Sequence, residues 1–378
     1  GALSSIDSSL EEAAENLGSS RFKRIMNITF PVIKPTIAAG AIMVFMSSLA
    51  DFGTPMLIGE GYKVLPVLVY EEYMSETGGN AGMAATLSII IIICSLTVLL
   101  IQKLIVDKKT YSMTALRPPK VTALRPLSRI LLTLAAFVVA GITFIITSFV
   151  KTSGPVFTKG FSFASYQAIF YKLARNIRNT FTFSTLAIIV IILIGIIVAY
   201  LITRRRSKSS SLLDIMVMFP YVIPGAVLGI SLLLAFKRQP LVLVGTPIIM
   251  IIAYVIRKMP YTVRSSSAIL HQIDTNVEEA SINLGVSPMR SFFKITARLM
   301  IPGIVSGAIL SWISTINELS SSIMLYTGKT ATISVAIYTE VVRGSFGTAA
   351  ALASILTVAT ILSFVIFSIV SKGKVSVV

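Results

Sequence analysis

Few side chains in this 378-residue sequence are of a type that does covalent chemistry. Thr327-Gly328-Lys329-Thr330 has the tail of a phosphate-binding loop, but the first glycine of G-x-x-x-x-G-K-[ST] would fall at Ile323. The segment reads as a turn, so any nucleotide must be hydrolysed by another chain. The one cysteine, Cys94, lies inside the apolar run "LSIIIIICSLTVLL", and the one histidine is His271. Neither has partners for a metal or nucleophilic site, so no metal, cofactor or catalytic residue is expected. Two acids, Asp51 and Glu318, fall within apolar stretches. There a carboxylate either lines a polar pathway or braces helices.

The elements that must hold such residues are read from composition. The chain is 54% hydrophobic and 13% charged, with mean hydropathy +0.86. A soluble domain carries about a quarter charged residues. Stretches of about 20 apolar residues predict membrane helices, at 34–58, 83–106, 129–150, 179–202, 212–236, 241–258, 300–324 and 346–370. No segment shows the short alternation of a membrane β-barrel.

The net charge is +17. Its basic residues sit mostly between apolar stretches, which sets orientation and argues against nucleic acid. Alternating the eight spans gathers 1–34, 103–129, 203–211, 257–298 and the C-terminal tail on one side. Most Lys and Arg lie there, so that side is assigned to the cytoplasm. Lys151, Lys159, Lys172, Arg175 and Arg178 lie opposite and weigh against it.

One polar segment occurs twice: "IDSSLEEAAENLG" ends at Gly18 and "IDTNVEEASINLG" at Gly285. At the same offset Ile28 meets Ile295, Pro35 meets Pro302, Gly40 meets Gly307, and Asp51 meets Glu318. One residue further out of step, Tyr70 meets Tyr338 and Glu72 meets Glu340. The first copy precedes two spans, whereas the second follows four and precedes two. A 6 + 6 helix protein with its first four helices outside this sequence is the simplest expectation. An even number of spans per half makes the repeat parallel.

Each polar copy predicts a short helix. Ser8 with Glu11 and Thr275 with Glu278 have capping-box spacing. Leu10, Ala13 and Leu17, and Val277, Ala280 and Leu284, recur at helical spacing. Gly18 and Gly285 stand where a left-handed residue ends a helix, and Ser287-Pro288 starts a second one. A plain connector would look similar. Two copies presented alike suit a partner that is itself two-fold.

In the first copy Glu12-Ala13-Ala14 precedes three residues, Gly18, nine residues, then Ile28-Thr29-Phe30-Pro31. This resembles the EAA loop, EAA-x3-G-x9-I-x-L-P, of permease subunits in binding-protein-dependent ABC importers. The second copy departs from it at Ser281 and at Ala297-Arg298. The resemblance implies an all-α, polytopic helix bundle of the MetI-like type in a bacterial inner membrane, with both loops cytoplasmic. It implies a coupling helix that seats in a groove of an ATPase subunit, through Glu12, Ala13 and Gly18 and through Glu279, Ala280 and Gly285. The partners implied are two ATP-binding subunits and an external solute-binding protein, with lipid around the spans. The chain itself would be no enzyme.

"DFGTPMLIG" (51–59) and "FPYVIPGAVLGISL" (219–232) resemble fused two-half ferric-iron permeases, and also permeases for polyamine, 2-aminoethylphosphonate, thiamine or sulfate. The expected organisation is the end of a first half (1–106), a linker (107–128) and a complete second half (129–378). Pathway candidates are Asp51, Thr54, Pro220, Pro224, Gly225, Asn317, Glu318 and Ser321. The Pro220, Pro224 and Gly225 break either opens space or accommodates packing. An ion-coupled secondary transporter is the rival class.

Overall fold

A computed structural model describes residues 8–59, 61–75, 79–101, 141–205 and 207–370. The expected linker 107–128 and most of the 129–150 span lie outside them. The first repeat comprises α1 (Ser8–Asn16), α2 (Arg21–Arg24), a π-turn (Ile25–Thr29), α3 (Phe30–Leu49), α4 (Gly53–Ile58), α5 (Leu65–Met74) and α6 (Ala81–Ile101). Between the repeats come α7 (Thr143–Phe149), strands β1 (Val150–Ser153) and β2 (Val156–Phe161), α8 (Ala164–Ala168), a π-turn (Ile169–Leu173), α9 (Ala174–Arg204), α10 (Lys208–Val222), α11 (Gly225–Ala235) and α12 (Pro247–Gln272). The second repeat is α13 (Thr275–Asn283), α14 (Pro288–Ser291), a π-turn (Phe292–Thr296), α15 (Ala297–Leu299), α16 (Ile301–Ile316), α17 (Ser322–Leu325), α18 (Ile333–Val342) and α19 (Phe346–Val370).

The repeat is exact at the level of elements. At the offset that joins Gly18 to Gly285, α1 becomes α13, α2 becomes α14, one π-turn becomes the other, and α3 spans the same positions as α15 and α16. The main difference is the exit. Ala297-Arg298 stand where the first copy has Phe30-Pro31, and the second copy bends by 67° between 288–299 and 301–316. Pro302 sits in the first turn of α16, where its missing N–H costs nothing.

Three helical segments among the described residues are long and apolar enough to cross a membrane: 81–98, 164–204 and 346–367. Two bent pairs, 208–221 with 225–235 and 288–299 with 301–316, raise that to five. The first expected span, 34–58, is broken: α3 stops at Leu49 and α4 follows at Gly53–Ile58. α12 occupies the sixth, but runs on to Gln272 rather than stopping at 258. The fourth span likewise extends back to Ala164, so Lys172, Arg175 and Arg178 are helical rather than in a loop. Exposed Ile189, Leu193 and Ile197 recur every fourth residue along α9, as a lipid-facing stripe requires.

Helix contacts are close where side chains are small. A Cβ on Gly307 would lie 2.5 Å from Thr262 Cα, and one on Gly303 2.6 Å from Ser265 O. This small-x-x-x-small edge lets α16 approach α12 at backbone distance. Ser311 Oγ donates to Lys258 O at 3.0 Å and shares a 3.0 Å hydrogen bond with Thr262 Oγ1, adding polar links across the same contact. The two repeats meet at Gly53, packed on Leu319, next to the fully buried Phe52, whose ring lies 5.0 Å from that of Tyr70 within the first repeat. Tyr70 and its repeat mate Tyr338 interact directly through their phenols.

The sequence reading foresaw no strands, yet β1 and β2 form an antiparallel hairpin. Phe157 stacks on Phe346, with ring centroids 6.3 Å apart, and Thr152 closes on Gly347, so the hairpin sits against the start of α19.

Candidate functional site: paired loops and a buried charge cluster

Both polar copies end in the same way. Gly18 has φ +75° and Gly285 φ +84°, a region in which a side chain is strained. Gly18 N–H donates to Glu15 O and Ser19 N–H to Ala14 O; Gly285 N–H donates to Ile282 O and Val286 N–H to Ser281 O. This Schellman pattern satisfies the last carbonyls of each short helix and turns the chain sharply into the next one.

The expected capping boxes are not what fixes the loops. Asp274, not Thr275, caps α13, accepting from Asn276 N–H at 2.9 Å. Glu278 is turned inward instead, towards Thr296 Oγ1 (3.3 Å) and the hydroxyl of Tyr200. In the first copy Glu11 makes the matching bond, accepting from Thr29 Oγ1 at 2.6 Å. Each loop is thus tied by a carboxylate to the π-turn that follows it. The second is tied further, by Arg204 Nη2 donating to Ile273 O at 2.7 Å. The Glu11–Thr29 and Glu278–Thr296 pairs were visible in the sequence only as two more matches at the common offset.

With the inner acids holding the loops, the next residues point away. Glu12 and Glu279, Ala13 and Ala280, and Gly18 and Gly285 are all exposed. Beside them stand large apolar side chains in identical register: Leu17 (89% exposed) and Leu284 (84%), Phe22 (73%) and Met289 (68%), Met26 (46%) and Phe293 (58%). Two matching apolar knobs are therefore built on rigid, tethered loops.

The pathway candidates separate into two groups. Glu318 is 6% exposed and accepts from Ser321 N–H and Ser321 Oγ, each at 3.1 Å. It pairs with Arg257 Nη1 at 2.6 Å and Lys258 Nζ at 2.5 Å. Gly225 belongs to the same cluster, because a Cβ there would lie 1.6 Å from Arg257 Nη1 and 2.7 Å from Ser320 Cβ. Pro224 is buried at the N-cap of α11, where α10 and α11 meet at 108°. Pro220 lies inside α10, partly buried.

The others stand apart. Asn317 Nδ2 donates to Ile313 O (2.8 Å) and Thr360 Oγ1 (3.4 Å), facing α19. Asp51 Oδ1 accepts from Gly53 N–H at 3.2 Å, bracing the start of α4, and Thr54 is exposed. The sequence reading missed Arg257 and Lys258 as site residues. It ended the sixth span at 258 and counted both as loop charge. In the structure they lie about halfway along α12, and Lys258 is 6% exposed.

The sequence matches the family described as binding-protein-dependent transport system inner membrane component, over residues 1–111 and 191–375. The chain belongs to that family, the inner-membrane components of binding-protein-dependent ABC importers, and passes the membrane several times. It is 27% identical over 379 residues to the ferric transport system permease protein FbpB of Actinobacillus pleuropneumoniae, covering 95% of this chain and 54% of the relative. It is 27% identical over 351 residues to the putative ferric transport system permease protein FbpB 1 of Haemophilus influenzae, covering 87% of this chain and 54% of that one. The chain thus spans about half the length of these relatives. Its fold is similar to a bacterial ABC transporter involved in the import of the acidic polysaccharide alginate, with TM-score 0.52 and 16% identity, over 66% of this chain and 95% of that one.

Proposed function

We propose that the chain is the membrane-spanning, pathway-forming part of an ATP-driven, binding-protein-dependent importer whose cargo is ferric iron. The observation that carries the reading is the pair of loops, each tethered by the same acid and each exposing the same apolar register. An isolated connector has no use for a solvent-facing Leu, and still less for two at one offset. In this reading each knob seats on one of two ATPase subunits on the cytoplasmic side. Glu12, Ala13 and Gly18, with Glu279, Ala280 and Gly285, form the seats. ATP draws the two ATPases together, the knobs follow, and the helix halves rock around the pathway. A loaded external binding protein delivers the cargo, and hydrolysis resets the cycle. The names of the relatives from A. pleuropneumoniae and H. influenzae support iron as the cargo.

The expected energetics separate this from ion-coupled transport. In vesicles holding the chain with its ATPase and a loaded binding protein, vanadate abolishes radioactive iron uptake and an uncoupler leaves it unchanged. Uptake that survives vanadate and collapses with the uncoupler overturns the reading.

A further inference from the structure

A cavity of about 70 Å³ lies between the first repeat and the elements that precede the second, lined by Ser47 of α3, Ala50 just after it, Tyr221 of α10, and Arg257, Lys258 and Tyr261 of α12. One water needs about 10–15 Å³ of such space, so the cavity holds several waters or one small oxyanion. Its lining is cationic by count. Arg257 and Lys258 share a single carboxylate, Glu318, which leaves one positive charge in excess. Arg257 reaches Glu318 through Nη1 and has no further hydrogen-bond partner among the described residues. Of the acids that flank other lining residues in sequence, Asp214 pairs with Arg264 at 3.1 Å and Asp51 accepts from the Gly53 amide.

We propose that this cavity is an oxyanion site on the transport path. A small anion of the phosphate or carbonate class would bind against Arg257 and Lys258, with the Tyr221, Tyr261 and Ser47 hydroxyls as further donors. Three observations converge on it. The cations lie about halfway along the 26-residue α12, sequestered from bulk water, and a charge kept inside a membrane protein marks a pathway or relay. The cavity lies between α3 of the expected first half and α10 and α12 of the expected second, and transporter substrates bind at such an interface. A planar guanidinium suits an oxyanion in particular. The site also deepens the reading of iron as cargo, on which this last step rests. An excess positive charge repels a bare trivalent cation, so the metal would cross the middle of the bundle paired with such an anion.

Binding is testable without iron, ATPase or binding protein. The chain in nanodiscs is titrated with radiolabelled inorganic phosphate. The expected result is saturable binding, weakened about 10- to 100-fold in Arg257→Gln, which removes a charge-assisted donor and leaves Glu318 neutralised by Lys258 alone. Tyr221→Phe, which keeps its packing, should weaken binding by less. No saturable binding to the native chain, or equal binding by Arg257→Gln, overturns the proposal. Phosphate binding by a chain that moves no iron leaves the site standing and refutes the cargo instead.

Discussion

Glu318→Gln destabilises the chain by about 3–5 kcal/mol, the range for removing one partner of a buried ion pair. Glu318 is the only counter-charge that Arg257 and Lys258 have among the described residues. Both cations are largely sequestered, and Lys258 more completely than Arg257, so the stranded charge has only the small cavity beside it, not bulk water, to turn to. Gln keeps a carbonyl oxygen for the Ser321 amide and hydroxyl, so the effect is that of the lost charge. Chemical denaturation in mild detergent would show it as a lowered midpoint. Adding Lys258→Met to Glu318→Gln removes one of the two stranded charges and should recover part of the loss. An unaltered midpoint in Glu318→Gln would mean that the cluster holds nothing together.

The second large effect is on assembly. Leu17→Asp combined with Leu284→Asp should leave the fold intact and abolish uptake. Both side chains are more than four-fifths exposed, and surface changes of this kind shift stability by only about 0.5 kcal/mol. At an interface they are central apolar anchors, and loss of such an anchor costs about 2 kcal/mol or more, roughly 30-fold in affinity per site. Pull-down of the ATPase should fall with each single change and fail with both. Normal uptake by the double variant would show that the knobs touch nothing.

Much of this was legible in the sequence because it is local or repeated. Gly18 and Gly285 marked left-handed helix ends, and the structure places both at positive φ. The helix boundaries of the second repeat follow from those of the first, because the same residues at one offset make the same turns. What stayed hidden depends on partners far along the chain. Arg257 and Lys258 read as loop charge because a hydropathy reading treats a cation as water-facing. Their partner lies about sixty residues on, at Glu318, and only the packing of α12 on α16 and α17 brings it near. The inward turn of Glu278 is a similar case. Its spacing to Thr275 satisfied a capping rule, but Thr296 and Tyr200 compete for the carboxylate, and Asp274 takes over the cap. The hairpin at 150–161 carried a turn signal, Gly154-Pro155, between short alternating segments. The preceding apolar run masked it.

The most direct measurement is site-specific crosslinking. With Cys94 replaced by Ser, single cysteines are placed at Ala13 and at Ala280, and each variant is treated with a short thiol-to-amine crosslinker in membranes that contain the ATPase subunits. Two loops that each grip one ATPase predict a crosslinked product from both positions, with the yield changing when vanadate traps the nucleotide state. No product from either position, with the ATPases present and active, would contradict the account.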